Sequence, residues 1–232
     1  MSKSTLLLSV VVPAYNEEHT VGDIIKRIKA TLLAARLSNE ILLVDDRSRD
    51  RTVEISQNEK ATVYLLKQHM GKGYALRAGF TKAKGEIIVT IDSDGSNRPE
   101  ELPVLLKPIL KDQADLVIGS RFSGKKTTAG KKFNLAGVRI FNLLIRILTG
   151  AEVSDSQSGY RAMKRHVLEN LTLNSGEYEI ESEMLVKIAH RGFRIREVQV
   201  SFEQRTYGVS TLDPIFDGLK ILMSIFASYL KG

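Results

Sequence analysis

Apolar residues fall along the chain in two patterns that take turns. Short unbroken runs, "LLLSVVV" (6–12), "EILLVD" (40–45), "TVYLLK" (62–67), "EIIVTID" (86–92) and "ADLVIGS" (114–120), have strand length and no alternation. Such runs mark strands covered on both faces. Between them come helix-like periods that can supply the covers. These are Val21 to Leu37, with apolar residues at 21, 24, 25, 28 and 32, a short helix begun near Asp50, "GKGYALRAGFTKAKG" (71–85) and "PEELPVLLKPILKDQ" (99–113). The alternation predicts an α/β fold, one domain built on a mostly parallel central sheet with helices on both faces.

After the basic stretch "SGKKTTAGKK" (123–132), a candidate mobile loop, the pattern changes. Two longer apolar helices are expected at "NLAGVRIFNLLIRILTG" (134–150) and "DPIFDGLKILMSIFASYL" (213–230), with one alternating strand, "REVQVSF" (196–202), whose Val198, Val200 and Phe202 share a face. No linker divides the chain, so the expected organisation is a catalytic-size domain over 1–210 and an amphipathic carboxy-terminal helix over 211–232. No window supplies the ~20 uninterrupted apolar residues of a membrane helix. Both late helices are broken by Arg139, Arg146, Asp217 and Lys220. Segments of this kind lie in a membrane interface, cover the sheet, or meet a second subunit in a homo-oligomer.

Composition narrows the chemistry. The 232 residues are 43% apolar and 26% charged, ordinary for a folded globular chain. The absence of cysteine excludes disulfides and thiolate metal sites, and four scattered histidines argue against a histidine cluster. A net charge of +7 favours anionic partners. Nucleic acid is the weakest of these, because aromatics for base stacking make up only 6% of the chain and the candidate ligand edge is acidic.

In open α/β sheets ligands sit beyond the carboxyl ends of the strands. Here those ends read "PAYNEE", "VDDRSRD", "DSDGS" and "GSRFSG". No GxGxxG turn follows the first strand, and "GKG" (71–73) lacks the rest of a phosphate-binding P-loop. The acidic ends fit a nucleotide whose base and ribose present donors to Glu17, Asp45 and Asp46 while a metal carries the diphosphate. Asp92 and Asp94 are two like charges one residue apart, a costly pair unless a cation shares them. Mg²⁺ or Mn²⁺, held by one or two carboxylates and ligand phosphates, is the expected cofactor. The bland rival is turn chemistry, for which "SDGSN" is well suited. Asp50 reads as a helix N-cap.

The segments "VVVPAYNEE", "LLVDDRSRDRT", "GKGYALRAG", "IDSDGSNRPEE", "VIGSRF", "VSDSQSGYRAM" and "FEQRTYGVSTL", in that order, resemble the motifs of family-2 glycosyltransferases with the GT-A fold. The likeness is greatest to dolichol-phosphate mannose synthase and the polyprenyl-phosphate glycosyltransferases. It implies that Pro13, Tyr15, Glu17, Asp45 and Asp46 hold the nucleotide, joined by Lys72, Asp92 and Ser93. It also implies that Asp92 and Asp94 bind metal and donor, with Ser96, where the family often has Gln, as the third candidate ligand. Arg121, Arg139 and Arg205 would gather phosphates. Thr211 replaces a lysine of the family's pattern. For Lys72 the alternative is an ordinary solvated lysine at a helix start, and for Asp155 the choice is between a general base and a structural role such as orienting Arg161 or capping a turn.

The activity implied is inverting transfer of one hexose from a nucleotide sugar, GDP-mannose first and UDP-glucose second, to a polyprenyl phosphate at the cytoplasmic face of a membrane. Such an acceptor is already ionised and needs no base. The obstacle is repulsion between two anions, about 4 kcal/mol for unit charges 4 Å apart at a partly screened dielectric. A hydroxyl acceptor would instead require a base, Asp155 or another carboxylate.

Overall fold

The computed structural model describes residues 7–122, 132–203, 205, 207 and 215–231, with 132–135 described as backbone alone. Seven strands form one sheet: β1 (Leu8–Ala14), β2 (Asn39–Asp45), β3 (Thr62–Leu65), β4 (Ile87–Thr90), β5 (Leu116–Ser120), β6 (Arg161–Lys164) and β7 (Ile195–Gln199), in the order β3-β2-β1-β4-β6-β5-β7. All neighbours are parallel except β6, which runs antiparallel to both β4 and β5.

The strand period of two divides each strand between two cores. In β1, Val10 and Val12 face α1 (Val21–Ala34) and α4 (Leu102–Leu110), packing with Ile24, Ile28 and Leu105. Val11 faces the other way, toward Leu76 of α3 (Lys72–Lys82) and Met184 of α7 (Ile180–His190). Against that second core lie α5 (Lys132–Thr149) and α8 (Phe216–Lys231), which contribute Phe141, Ile145, Ile221 and Ile225. The short helices α2 (Thr52–Asn58) and α6 (Arg165–Glu169) complete the set.

Several expectations shift. The first helix ends at Ala34, before the predicted Leu37. The late alternating strand pairs with β5 from Ile195 to Gln199; Val200, buried, adds one bond from its N to Ser120 O, and Phe202 forms a separate antiparallel bridge with Asn97. The N-cap of α2 is Arg51, while Asp50 accepts the Thr52 N–H at 3.0 Å from one position further out. Three elements escape the hydrophobic reading, β6, α6 and α7. Thr211 and the side chains of the lysine pairs at 125–126 and 131–132 lie outside the described residues.

The sheet order has a physical consequence at its middle. β1 pairs with β4 only from Leu8 to Val11, with one further bond from Ile91 N to Val11 O. Beyond that point the two strands part, and Pro13, which has no N–H to donate, occupies the β1 position facing the gap. Strands β1, β2 and β3 step one way from there and β4 the other, which makes the gap the topological switch point where such sheets bind ligands.

Candidate active site

The loop after β1 is laced to the loop after β2. Asn16 N donates to Ser48 Oγ at 2.9 Å, Arg49 N to Asn16 Oδ1 at 2.8 Å, Glu17 N to Thr52 Oγ1 at 2.7 Å and Glu18 N to Asp50 Oδ2 at 3.0 Å. Asn16 takes a φ of 54°, a conformation its short polar side chain tolerates. This stitching leaves Tyr15 half-buried, stacked on His69 with ring centroids 4.1 Å apart.

Asp45 and Asp46 take different roles. Asp45 Oδ2 accepts the Ser48 N–H at 3.0 Å, whereas its Oδ1 is buried with no hydrogen-bond partner among the described residues. A buried acceptor left without a donor is costly, and a ligand N–H or hydroxyl would satisfy it. Asp46 accepts from Met70 N and Gly71 N, both at 2.7 Å, and lies 2.8 Å from His69 Nδ1. Its carboxylate therefore fixes the approach to α3. Ser93 donates to Pro13 O at 2.8 Å, tying the end of β4 to β1 across the gap.

Glu17 is buried against Thr20 Oγ1 at 2.9 Å and the Arg205 guanidinium. Burial pushes its carboxyl above the usual range, with Thr20 and Arg205 pulling the other way and Asp94 adding to the rise. Arg205 Nη1 also comes within 4.0 Å of Asp94 Oδ2. Asp94 Oδ1 accepts the Ser96 N–H at 3.0 Å, an Asx turn, and Asn97 Nδ2 donates to the Ser96 hydroxyl at 3.4 Å. The turn chemistry read from "SDGSN" is thus present, yet it occupies only one oxygen of Asp94 and none of Asp92.

Asp92 faces a cation. Lys72 Nζ lies 2.7 Å from Asp92 Oδ1 and 2.9 Å from Glu181 Oε1, so this lysine is enclosed rather than solvated as helix-start lysines commonly are. Burial works against its charge, but the two carboxylates outweigh it and hold the ammonium above its ordinary value. Gly159 closes over the pair. A Cβ there would come 2.7 Å from Asp92 Oδ2 and 2.8 Å from Lys72 Nζ.

Asp155 pairs with Arg121, not Arg161. The Arg121 Nε and Nη2 donate to the two Asp155 oxygens at 2.7 Å each, and Asp155 N donates to Glu197 Oε1 at 2.9 Å. Asp155 is fully buried there. Arg161, buried on β6, donates instead to the carbonyls of Ser156, Ser158 and Glu181 at 2.7, 2.8 and 2.8 Å. Burial pulls its guanidinium down from the usual arginine value. Arg139 is exposed on α5 and makes no ion pair among the described residues, so the structure does not bring it to this cluster.

Asp92 and Asp94 supply hard oxygens in a number that suits Mg²⁺ or Mn²⁺, ions that complete their shells with phosphate and water. No third histidine or acid joins them among the described residues. The ammonium against Asp92 marks that carboxylate as a seat for positive charge, and the fit with a divalent ion is good.

The profile of the glycosyl transferase family 2 matches residues 9–172. The chain belongs to this family, and it is a glycosyltransferase. Among curated relatives, an uncharacterized protein of Methanocaldococcus jannaschii is 32% identical over 225 residues, covering 93% of this chain and 89% of its own length. Glycosyltransferase AglJ of Haloferax volcanii is 32% identical over 94% of this chain and 70% of its own. The undecaprenyl-phosphate 4-deoxy-4-formamido-L-arabinose transferase of Pseudomonas aeruginosa is 30% identical over 88% of this chain, which spans 60% of that longer protein. Glucosyl-3-phosphoglycerate synthase of Mycobacterium tuberculosis superposes with a TM-score of 0.79 at 23% identity, covering 97% of this family-2 chain and 82% of that one. A second structure of it, with Mn²⁺, uridine diphosphate and phosphoglyceric acid, gives 0.74 at 24%, over 99% and 79%. These superpositions establish the GT-A fold.

Glu181 and Gly159 were not picked out by sequence reasoning. Glu181 opens α7, whose apolar positions 180, 184, 185 and 188 follow the helical period and were there to be read. Gly159 carries no signal until the strands are assembled.

Proposed function

We propose that this glycosyltransferase moves one hexose from a nucleotide sugar to a polyprenyl phosphate, with inversion and with a divalent ion at Asp92 and Asp94. The observation that carries the acceptor class is the state of Asp155. Both of its oxygens are bound to Arg121, so the carboxylate best placed to serve as a general base is already committed to an ion pair. With Asp155 held in this way, the site suits a nucleophile that arrives ionised, and a phosphate monoester does.

In the transfer, a phosphate oxygen of the acceptor forms the new bond to the anomeric carbon as the bond to the donor diphosphate breaks, and the nucleoside diphosphate leaves with the electron pair. Tyr15, Asp45 and Glu17 hold the nucleoside, while Arg121 and Arg205 lower the repulsion between the two anions. Arginine suits this because it stays charged and grips phosphate with paired donors. When bound, the divalent ion supplies neutralisation of the diphosphate.

We also read the outer faces of α5 and α8 as the membrane contact. Leu143 and Ile147 on α5, and Leu219, Met223, Phe226 and Leu230 on α8, are exposed at helical spacing on two helices that pack together. Among the described residues no helix is long and apolar enough to cross a membrane, so attachment through these helices is peripheral.

The deciding experiment supplies GDP-mannose or UDP-glucose, with and without polyprenyl phosphate and Mn²⁺, and follows lipid-linked sugar. Transfer to the lipid phosphate that stops on chelation is expected. Transfer only to a saccharide hydroxyl would overturn the acceptor, and undiminished turnover in chelator would overturn the metal. Sedimentation with anionic liposomes, weakened by Phe226→Asp, tests the membrane face.

A further inference from the structure

Lys72 serves two carboxylates. Its contact with Asp92 Oδ1 is 2.7 Å and with Glu181 Oε1 2.9 Å. Glu181 is 3% exposed, and neither of its oxygens has a hydrogen bond among the described residues. The Lys72 ammonium, 2.9 Å from Glu181 Oε1, is the charge that compensates this buried acid. The backbone of Glu181 is held in turn by Arg161, which donates to its carbonyl at 2.8 Å, and the next residue, Ser182, accepts from Gln157 at 2.6 Å. Glu181 is thus a fixed anion behind a lysine at the metal end of the site.

From this arrangement we propose that Lys72 is a built-in counter-cation that holds Asp92 until a divalent ion arrives, and that Glu181 is the seat that keeps Lys72 when it lets go. The inference rests on the metal-dependent reading above and concerns how this chain prepares for the ion. Mg²⁺ takes carboxylate oxygens at about 2.1 Å, a place the ammonium already fills on Oδ1. Gly159 leaves no slack on the other side, where even a methyl group would meet both Asp92 and Lys72 inside 3 Å. The two cations therefore compete. Released from Asp92, Lys72 stays on Glu181 with its remaining donors available to the diphosphate. The ion alone should bind weakly, and nucleotide and ion should strengthen one another.

Calorimetric titration of MnCl₂, with and without uridine diphosphate, into wild type, Lys72→Met and Glu181→Gln tests this. Lys72→Met is expected to bind Mn²⁺ alone roughly tenfold more tightly, a shift of about 1.4 kcal/mol, and to gain less from the nucleotide than wild type does. Glu181→Gln, which leaves Lys72 with Asp92 as its remaining carboxylate partner, is expected to bind Mn²⁺ alone more weakly. Because a buried contact is screened little, the tightening should survive about 0.5 M NaCl. Lys72→Gln, closer in length, repeats the test, with circular dichroism melts confirming a folded chain. Equal or weaker Mn²⁺ binding in both lysine variants overturns the proposal, as does a tightening that high salt abolishes, which would be a long-range field. If wild type binds Mn²⁺ with nucleotide and the variants break the pattern, this inference alone fails. If no form binds Mn²⁺ even with nucleotide, the metal reading fails and takes this one with it.

Discussion

The two edges of the central sheet use charge in opposite ways. At the amino-terminal edge of β5 and β7, Asp115 accepts from Arg194 N and Nε at 3.0 Å, from Arg194 Nη2 at 2.9 Å and from Lys164 Nζ at 2.9 Å, while Asp112 shares the same two cations. Every charge has its counter-charge, and hydrogen bonds from Arg194 hold the Asp115 carboxyl well below the usual range. At the carboxyl edge the acids are under-served. Asp45 Oδ1 has no partner among the described residues, one lysine is divided between Asp92 and Glu181, and burial lifts Glu17 above its ordinary value. An ion-pair cluster that is complete in itself holds a fold together. One that is short of positive charge and donors is arranged for something that brings them.

The sharpest break in that comparison comes from removing one acid at each edge. Asp94→Asn is expected to lower sugar transfer about 10³-fold, the scale of losing a group that stabilises developing charge, with the urea midpoint unchanged or slightly raised. Asp115→Asn should do the reverse. It removes one of the two carboxylates that Arg194 and Lys164 share, leaving both cations with Asp112 alone, and should cost about 2 kcal/mol in urea unfolding, while the folded enzyme keeps its rate. If Asp94→Asn destabilised the chain and Asp115→Asn did not, the two edges would have been assigned the wrong way round.

The pH dependence separates them by sign. Asp115 titrates near 3.9 when unfolded and lower when folded, so its stabilisation is complete above about pH 5 and is lost as pH falls through the folded value. Glu17 is raised, so the folded chain holds its proton more tightly than the unfolded chain, and its contribution falls as pH rises through the folded value. The stability difference between wild type and Asp115→Asn should therefore shrink as pH drops from about 5 to about 2. Glu17→Gln should remove a slope of the opposite sign.

Much of this contrast was legible before the fold was. The runs that form β1, β2, β4 and β5 are continuous and apolar, and acids at or just past the ends of the first three, Glu17, Asp45, Asp92 and Asp94, stand out because nothing about a strand calls for them. What stayed hidden depends on partners far apart in sequence. β6 is four residues, "RAMK", with a charged residue at each end, and it is a strand because Thr90 and Ile118 flank it on both sides. Its Arg161 is buried because three backbone carbonyls converge there, which no periodicity announces. For Asp155 the sequence leaves open a base, a turn cap or an orienter of Arg161, six residues on, whereas its partner Arg121 is 34 residues back. Local pattern reports which face is apolar; it does not report which charge meets which.

The smallest expected effect marks where the two kinds of region meet. Tyr15 stacks on His69, and His69 is held by Asp46, whose carboxylate also takes the amides of Met70 and Gly71. That chain of contacts resembles the self-satisfied edge, yet it ends in a half-buried aromatic ring one residue past β1, on the same carboxyl edge as the unpartnered Asp45 oxygen. If the ring is a platform for a base, Tyr15→Ala should weaken uridine diphosphate binding about tenfold, in the range of one base stack, and leave urea stability within about 0.5 kcal/mol. His69→Ala should weaken it less, since the histidine orients the ring without being that platform. A loss of stability with nucleotide affinity intact would put Tyr15 among the groups that hold the fold. The supply of unmet acceptors would then begin at Asp45 and not at the end of β1.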